Sequence, residues 1–312
     1  MLKRSNSKNF WKNKNKLNLL DNIKTISYHD SINSIAIFPS GNIASVSNDS
    51  NIIIYDNNFI EIQTIINAHL NSIIYISIKD DNNFVTCSID NSIKVWIRNN
   101  TNKYECFQIL KNIHSKWINQ VIYSDNKNEK IISCSRDQTV KIFEKKYNSN
   151  FQCIISLKHT QNIFCVLDVN KKNIIISSGY DGTYFWDKIE YKLMKKINVS
   201  CYTNYSLSKI DDDKIIISGN IGLINIIRIS DMKLIQTFNN NTWCYCLLYL
   251  KEKDLFICGG IKELKIYLFD NLNNIKIIQN AHDDRINGLV KYKNNYIISF
   301  SIDGTIKLWK IF

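Results

Sequence analysis

Proline occurs once in the 312 residues, at Pro39, and glycine nine times. No run of roughly 18 apolar residues occurs, so a transmembrane helix is not expected. The opening stretch MLKRSNSKNFWKNKNK has no apolar core and no cleavage pattern, so it does not read as a secretory signal. The nine cysteines include no Cys-x-x-Cys pair, and Cys244 and Cys246 are the closest two. That spacing argues against a zinc site and for small buried hydrophobes in a reducing compartment. Acidic residues are missing before Asp21, while Lys3, Arg4, Lys8, Lys12, Lys14 and Lys16 fall there. Residues 1–18 are therefore expected to be a basic disordered tail, with one folded unit over 19–312. Also missing are a P-loop, a GxGxxG in strand–helix context and an HExxH.

What is present is ordinary for a globular chain: 45% hydrophobic and 22% charged residues. The net charge of +12 leaves a nucleic-acid partner open. Lysine, asparagine and isoleucine are abundant along the whole chain, so compositional bias accounts for much of that charge. Arginine is scarce: five among the 40 basic residues.

Internal repeats organise the chain. There are five histidines, His29, His69, His114, His159 and His282. Each lies about 20 to 24 residues before a tight-turn aspartate: Asp49, Asp90, Asp137, Asp181 and Asp303. Aligning IGLINIIRI with DGTIKLWKI places Ile221 in the aspartate slot of a further repeat, and GIKELKIY places Ile261 in another. The seven slots are about forty to forty-seven residues apart. Each repeat reads as an apolar run after the histidine, a short run with Ser or Thr four residues before the aspartate, and a turn. An alternating strand ending in an aromatic follows (IKVW, VKIF, IKLW), then one more strand. No amphipathic helix interrupts them.

Seven such copies resemble the WD40 family of β-propellers. The resemblance implies an all-β, seven-bladed ring in which His, Ser or Thr, Asp and Trp form a buried hydrogen-bond network in each blade. Carried over, it assigns His69, Thr86, Asp90 and Trp96 to blade two. It assigns His159, Ser177, Asp181 and Trp186 to blade four, and His282, Ser299, Asp303 and Trp309 to blade seven. Tyr55 and Phe143 take the Trp slot in blades one and three. Blades five and six lack both His and Asp, have Ile227 and Tyr267 in the Trp slot, and are expected to rely on apolar packing. Recurrence of His, Asp and Ser at one period marks architecture, not a catalytic triad, so no enzyme activity and no cofactor are expected. The last strand of blade seven is expected from the N-terminus. Ile23 to Ile26 should pair beside Thr305 to Trp309, and deleting residues 1–28 should unfold that blade, whereas deleting 1–15 should cost little.

The resemblance also implies a top face that binds partners through the residue before the turn aspartate and those three and five after the histidine. Those slots hold Trp117, Asn119, Arg136, Phe164, Tyr180, Tyr205, Trp243, Tyr245, Arg285 and Asn287. Trp, Tyr and Arg are the residues enriched at binding hot spots. The expected function is a non-enzymatic scaffold that docks a peptide or protein partner within a multiprotein complex in the cytoplasm, with the nucleus open. Two alternatives stand beside it. Blade three and the Tyr104–Cys106 segment resemble the WD40 subunit of the cytosolic iron–sulfur targeting complex. The basic tail would suit a WD40 subunit of an RNA- or DNA-associated complex.

Overall fold

The structure is a computed structural model, and it describes residues 20–28, 30–124, 129–146, 150–198, 204–219, 221–269 and 274–312, the side chains of 204, 205 and 274 excepted. The basic stretch 1–18 and His29 lie outside the described residues. The described residues form seven four-stranded antiparallel sheets. Their innermost strands are Ile32–Ile37, Ile73–Asp80, Ile118–Ser124, Ile163–Val169, Asn204–Lys209, Cys246–Leu250 and Ile286–Tyr292. Each innermost strand touches the next, and the seventh touches the first, so the sheets are blades of a closed ring. The only helical element among the described residues is one 3-10 turn, Asn170–Lys172.

The second and third strands of each blade lie between neighbouring sheets, and their sequences show it. Ile43–Ser47 and Leu255–Gly259 are buried at every position, as a strand covered on both faces must be. Apolar clusters fill each gap between blades. Phe38, Ala44 and Ile54 of blade one, for example, pack on Phe84, Trp96 and Tyr104 of blade two. Each large side chain so buried contributes about 1.5–3 kcal/mol. The outermost strands are the most exposed, as in Lys233–Asn239, where every position but Phe238 is exposed.

The first described strand, Leu20–Ser27, closes blade seven by pairing with Thr305–Ile311, from Leu20 opposite Ile311 to Ser27 opposite Thr305. This is the pairing that the repeat register predicts, and it removes the open edge of the sheet. Trp309 is 4% exposed beneath it.

Two bulges recur around the ring. On every outermost strand the register slips opposite the aromatic slot, at Ile62, Phe107, Ile154, Met194, Ile235, Ile275 and Ile23. On six innermost strands it slips at the second residue: Asn33, Ile74, Asn119, Phe164, Tyr205 and Asn287. A bulge turns the strand and re-aims the side chain beside it, and the inner set defines the mouth of the channel.

A meander of four strands puts the turns between strands one and two and between three and four at one end of the ring. The turn between strands two and three and the loop to the next blade lie at the other. The first end is laced by charges between blades. Lys79 of blade two meets Glu129 of blade three at 2.5 Å, Lys172 of blade four meets Asp213 of blade five at 2.9 Å, and Lys291 of blade seven meets Glu252 of blade six at 2.7 Å. Lys79, Lys172 and Lys291 are therefore structural partners of acids one blade away.

Candidate partner-binding face

The loop end is built on buried polar networks. In blade two the His69 ring reaches Asp90 through Nδ1 at 3.0 Å and Thr86 through Nε2 at 2.8 Å, and Trp96 donates its indole N–H to Thr86 at 2.8 Å. Blade four repeats this with His159, Asp181, Ser177 and Trp186. Blade seven repeats it with His282, Asp303, Ser299 and Trp309. Blade three has His114, Asp137 and Ser133, and there buried Phe143 takes the Trp slot and has no N–H to donate. Burial lowers the affinity of His69, His114 and His159 for a proton and brings His282 down to about 4, so the rings are neutral near pH 7. Burial pulls Asp90 upward, but hydrogen bonds from His69 and Ser92 outweigh it and hold the carboxyl well below its usual range. These histidines are at most 6% exposed, with both ring nitrogens occupied. Their geometry serves to pin the loop that precedes each blade against the turn within it.

Several members of these networks escaped the sequence reading. A hydroxyl two residues after the aspartate (Ser92, Thr139 or Thr305) bonds both the carboxylate and the His Nδ1. Its signal was in the repeat register, as the Ser or Thr of DNS, DQT and DGT. In blade four, whose turn is one residue shorter, Tyr184 stacks on His159 at 3.7 Å and donates to Asp181 at 2.7 Å. In blade one Tyr28 donates its hydroxyl to Asp49 at 2.6 Å.

Blade six corrects the expectation of apolar packing. Buried Asn240, in the place of the His, accepts the Tyr267 hydroxyl, and Lys265 reaches the Asn240 carbonyl at 2.9 Å, Thr242 at 2.7 Å and Glu263 at 3.1 Å. Glu263 stands two residues after the empty aspartate slot, so the carboxylate has moved along the turn. Ile261 is 52% exposed in that slot. With Trp243, Thr242 and Glu263 it lines a recess of about 390 Å3. Blade five keeps the apolar solution, with Ile215, Ile217, Ile227 and Ile229 fully buried.

Above these networks the predicted surface residues gather in two clusters. In the first, the Arg136 guanidinium lies 4.1 Å from the Trp117 ring centre and 6.0 Å from that of Phe164, with Nε directed to Asn119 Oδ1 at 3.4 Å. Phe164 meets Tyr180 edge to face at 4.9 Å. In the second, Arg285 lies 5.0 Å from the Tyr245 ring centre and donates Nε–H to Asn287 at 3.0 Å, and Tyr245 meets Trp243 at 5.8 Å. Trp117, Tyr180 and Trp243 are 40, 47 and 48% exposed. The Tyr205 side chain lies outside the described residues.

Asn119 and Asn287 have a second task. Asn119 donates to the carbonyl of Ile163 at 2.6 Å and Asn287 to that of Ile32 at 2.8 Å, each on the innermost strand of the next blade. Asn33 does the same to Ile73. These bulge residues clamp adjacent blades and, in two cases, hold an arginine in place. Between the clusters runs the central channel, about 320 Å3, whose lining includes Asn33, Asn119, Phe164, Tyr245 and Asn287.

The family described as WD domain, G-beta repeat matches the chain at residues 20–56, 60–96, 105–144 and 273–310. Each match takes the outermost strand of one blade and the first three of the next. The matches cover blades one, two, three and seven, and in the last three of these a His–Asp pair meets a full-length turn. Blades four to six, where the turn shortens or the pair is lost, carry none apart from the last strand of blade six. No curated protein matches the chain. Seven four-stranded blades with WD repeats in register place the chain in the WD40-repeat β-propeller family.

Proposed function

We propose that the protein is a non-catalytic scaffold that holds a peptide or protein segment across its loop end, in a reducing compartment such as the cytoplasm or the nucleus. WD40 propellers serve protein interaction in general, and the finer reading rests on Arg285. Its flat face is covered by Tyr245, its Nε is held by Asn287, and Asn287 is itself fixed to blade one. No ion-pair partner of Arg285 occurs among the described residues. A guanidinium positioned before the ligand arrives loses little entropy on binding, and its remaining edge fits a carboxylate with two parallel hydrogen bonds. Arg136, over Trp117 and with Nε towards Asn119, is a second cation held in place on the other side of the channel.

The test is quantitative affinity capture from the native cell with the intact chain and with Arg136→Ala/Arg285→Ala. Specific partners should be lost from the double variant while its melting midpoint stays within about a degree. Unchanged recovery of every specific partner refutes the assignment of this face.

A further inference from the structure

The exposed charges of the loop end are unevenly placed. At the loop end of blade three, Lys111, Lys116 and Lys158 are exposed, and none has an ion-pair partner among the described residues. Arg136 lies among them, its backbone N–H bonded to the Trp117 carbonyl at 3.0 Å. Lys158 is held beside the same turn, because the next residue, His159, donates its N–H to Gln138 at 2.9 Å. The only acid in the blade-three turn is Asp137, turned inward onto His114. Across the channel, blade seven exposes Asp283 and Asp284, also without an ion-pair partner among the described residues.

We propose that blades three and four bind an acidic peptide segment, with Lys111, Lys116, Lys158 and Arg136 contacting its carboxylates and Trp117 and Tyr180 packing on its apolar residues. This rests on the scaffold reading above and names the chemistry of the bound segment. Asp283 and Asp284 disfavour further acidic residues over blade seven beyond the one carboxylate that Arg285 would pair with, so the body of the segment is kept to blades three and four. The aromatic residues decide between a peptide and a single-stranded nucleic acid. Base stacking needs open ring faces. Here Arg136 sits over Trp117, while Phe164 and Tyr180 are locked edge to face with each other. Phe164 and Tyr180, at 85° to each other, do not present parallel faces to successive bases, whereas exposed Trp117 and Tyr180 beside four cations suit aliphatic side chains and carboxylates.

The experiment is a fluorescence-anisotropy titration of the full chain with a labelled peptide of alternating glutamate and leucine. A glutamine-for-glutamate version and an oligouridylate serve as the other arms. The glutamate peptide should bind with an affinity that falls as salt rises, and the glutamine peptide should bind at least tenfold more weakly. Lys116→Glu/Lys158→Glu should weaken the glutamate peptide at least tenfold with an unchanged melting curve, and Asp283→Lys/Asp284→Lys should not weaken it. The proposal is overturned by equal binding of the two peptides, by no binding of the glutamate peptide, by insensitivity to the lysine reversals, or by tighter binding of the oligouridylate. Should partner capture depend on Arg136 and Arg285 while the acidic peptide fails here, the scaffold reading stands and the acidic assignment alone falls.

Discussion

Replacing Thr86 by valine tests the buried networks at their most sensitive atom. Thr86 is fully buried, and valine has nearly its shape, so no cavity opens and only the hydroxyl is lost. That hydroxyl is a relay. The Asp90 carboxylate faces His69 Nδ1, so Nδ1 carries the proton and Nε2 accepts from Thr86, whose oxygen accepts the Trp96 N–H. Thr86→Val therefore orphans two buried groups, His69 Nε2 and Trp96 Nε1. At about 1–2 kcal/mol each, the cost is roughly 2–4 kcal/mol. For a ring of this size that lowers the melting midpoint by about 3–7 °C. Thr86→Ser should cost under about 1 kcal/mol, because Ser133, Ser177 and Ser299 fill the same position in other blades. Adding Trp96→Phe to Thr86→Val should recover about 1 kcal/mol relative to the sum of the single changes, since the orphaned indole N–H is then gone. Blade three already carries that solution as Phe143. Calorimetry of the four variants reads the cycle. A Thr86→Val loss below about 0.5 kcal/mol, or strict additivity, refutes the relay.

Further outcomes follow from the same structure. The folded-state pKa of His282 lies at about 4, below its unfolded value of about 6.5, because burial disfavours the charged ring. Its stabilising contribution is thus complete above about pH 6.5 and is lost as pH falls towards 4, and His69, His114 and His159 act in the same direction. Melting midpoints should hold level from pH 7.5 to about 6.5 and fall from there to pH 4.5, and a flat profile throughout contradicts the neutral buried histidines. Lys188 and Asp168 form an ion pair with side chains only 4 and 5% exposed. Lys188→Met should cost roughly 3–5 kcal/mol in urea unfolding, and Asp168→Leu/Lys188→Met should recover most of it. At Gly288 a Cβ would stand 2.0 Å from Phe300 Cζ, so Gly288→Ala should destabilise by roughly 1–3 kcal/mol and Phe300→Leu should rescue it in a thermal melt. Removing residues 1–28 should abolish the cooperative melt, because Trp309 and Ile311 lose the strand that covers them.

The period of the chain made the ring legible: aspartates at Asp90, Asp137 and Asp303, each with its histidine upstream, admit few other folds. The origin of the closing strand was legible too, because Asn22–Tyr28 reads like the segment before His69. Where the repeat decays, the residues stop carrying the signal. Glu263 and Lys265 look like surface charges until Asn240 and Thr242, from the loop before the blade, fold over them. Tyr28 and Tyr184 are adjacent to recognisable motifs but belong to no slot: Tyr184 fills in at a turn one residue short, and Tyr28 reaches Asp49 from the end of the closing strand. The double role of Asn119 and Asn287 is set by the neighbouring blade, whose carbonyl lies some forty residues away in one case and at the opposite end of the chain in the other. A single-blade pattern cannot express a contact of that kind.

The clasp formed by Leu20–Ser27 has a consequence for the timing of folding. Leu20 meets Ile311 only after blade seven has been synthesised, so until then the chain can stack blades only as an open arc. Throughout that interval the first strand has no sheet to join, and the flank of blade one that later packs on blade seven, with Ile35, Ile53 and Tyr55, stays uncovered. Long-range pairing of this kind is slow and leaves apolar edges exposed. The loop-end surface spans blades three to seven, and Asn287 reaches its final anchor on Ile32 only when the arc closes. The Arg285–Asn287 arrangement is thus completed last, in one step with closure, and a nascent or opened ring would not present it.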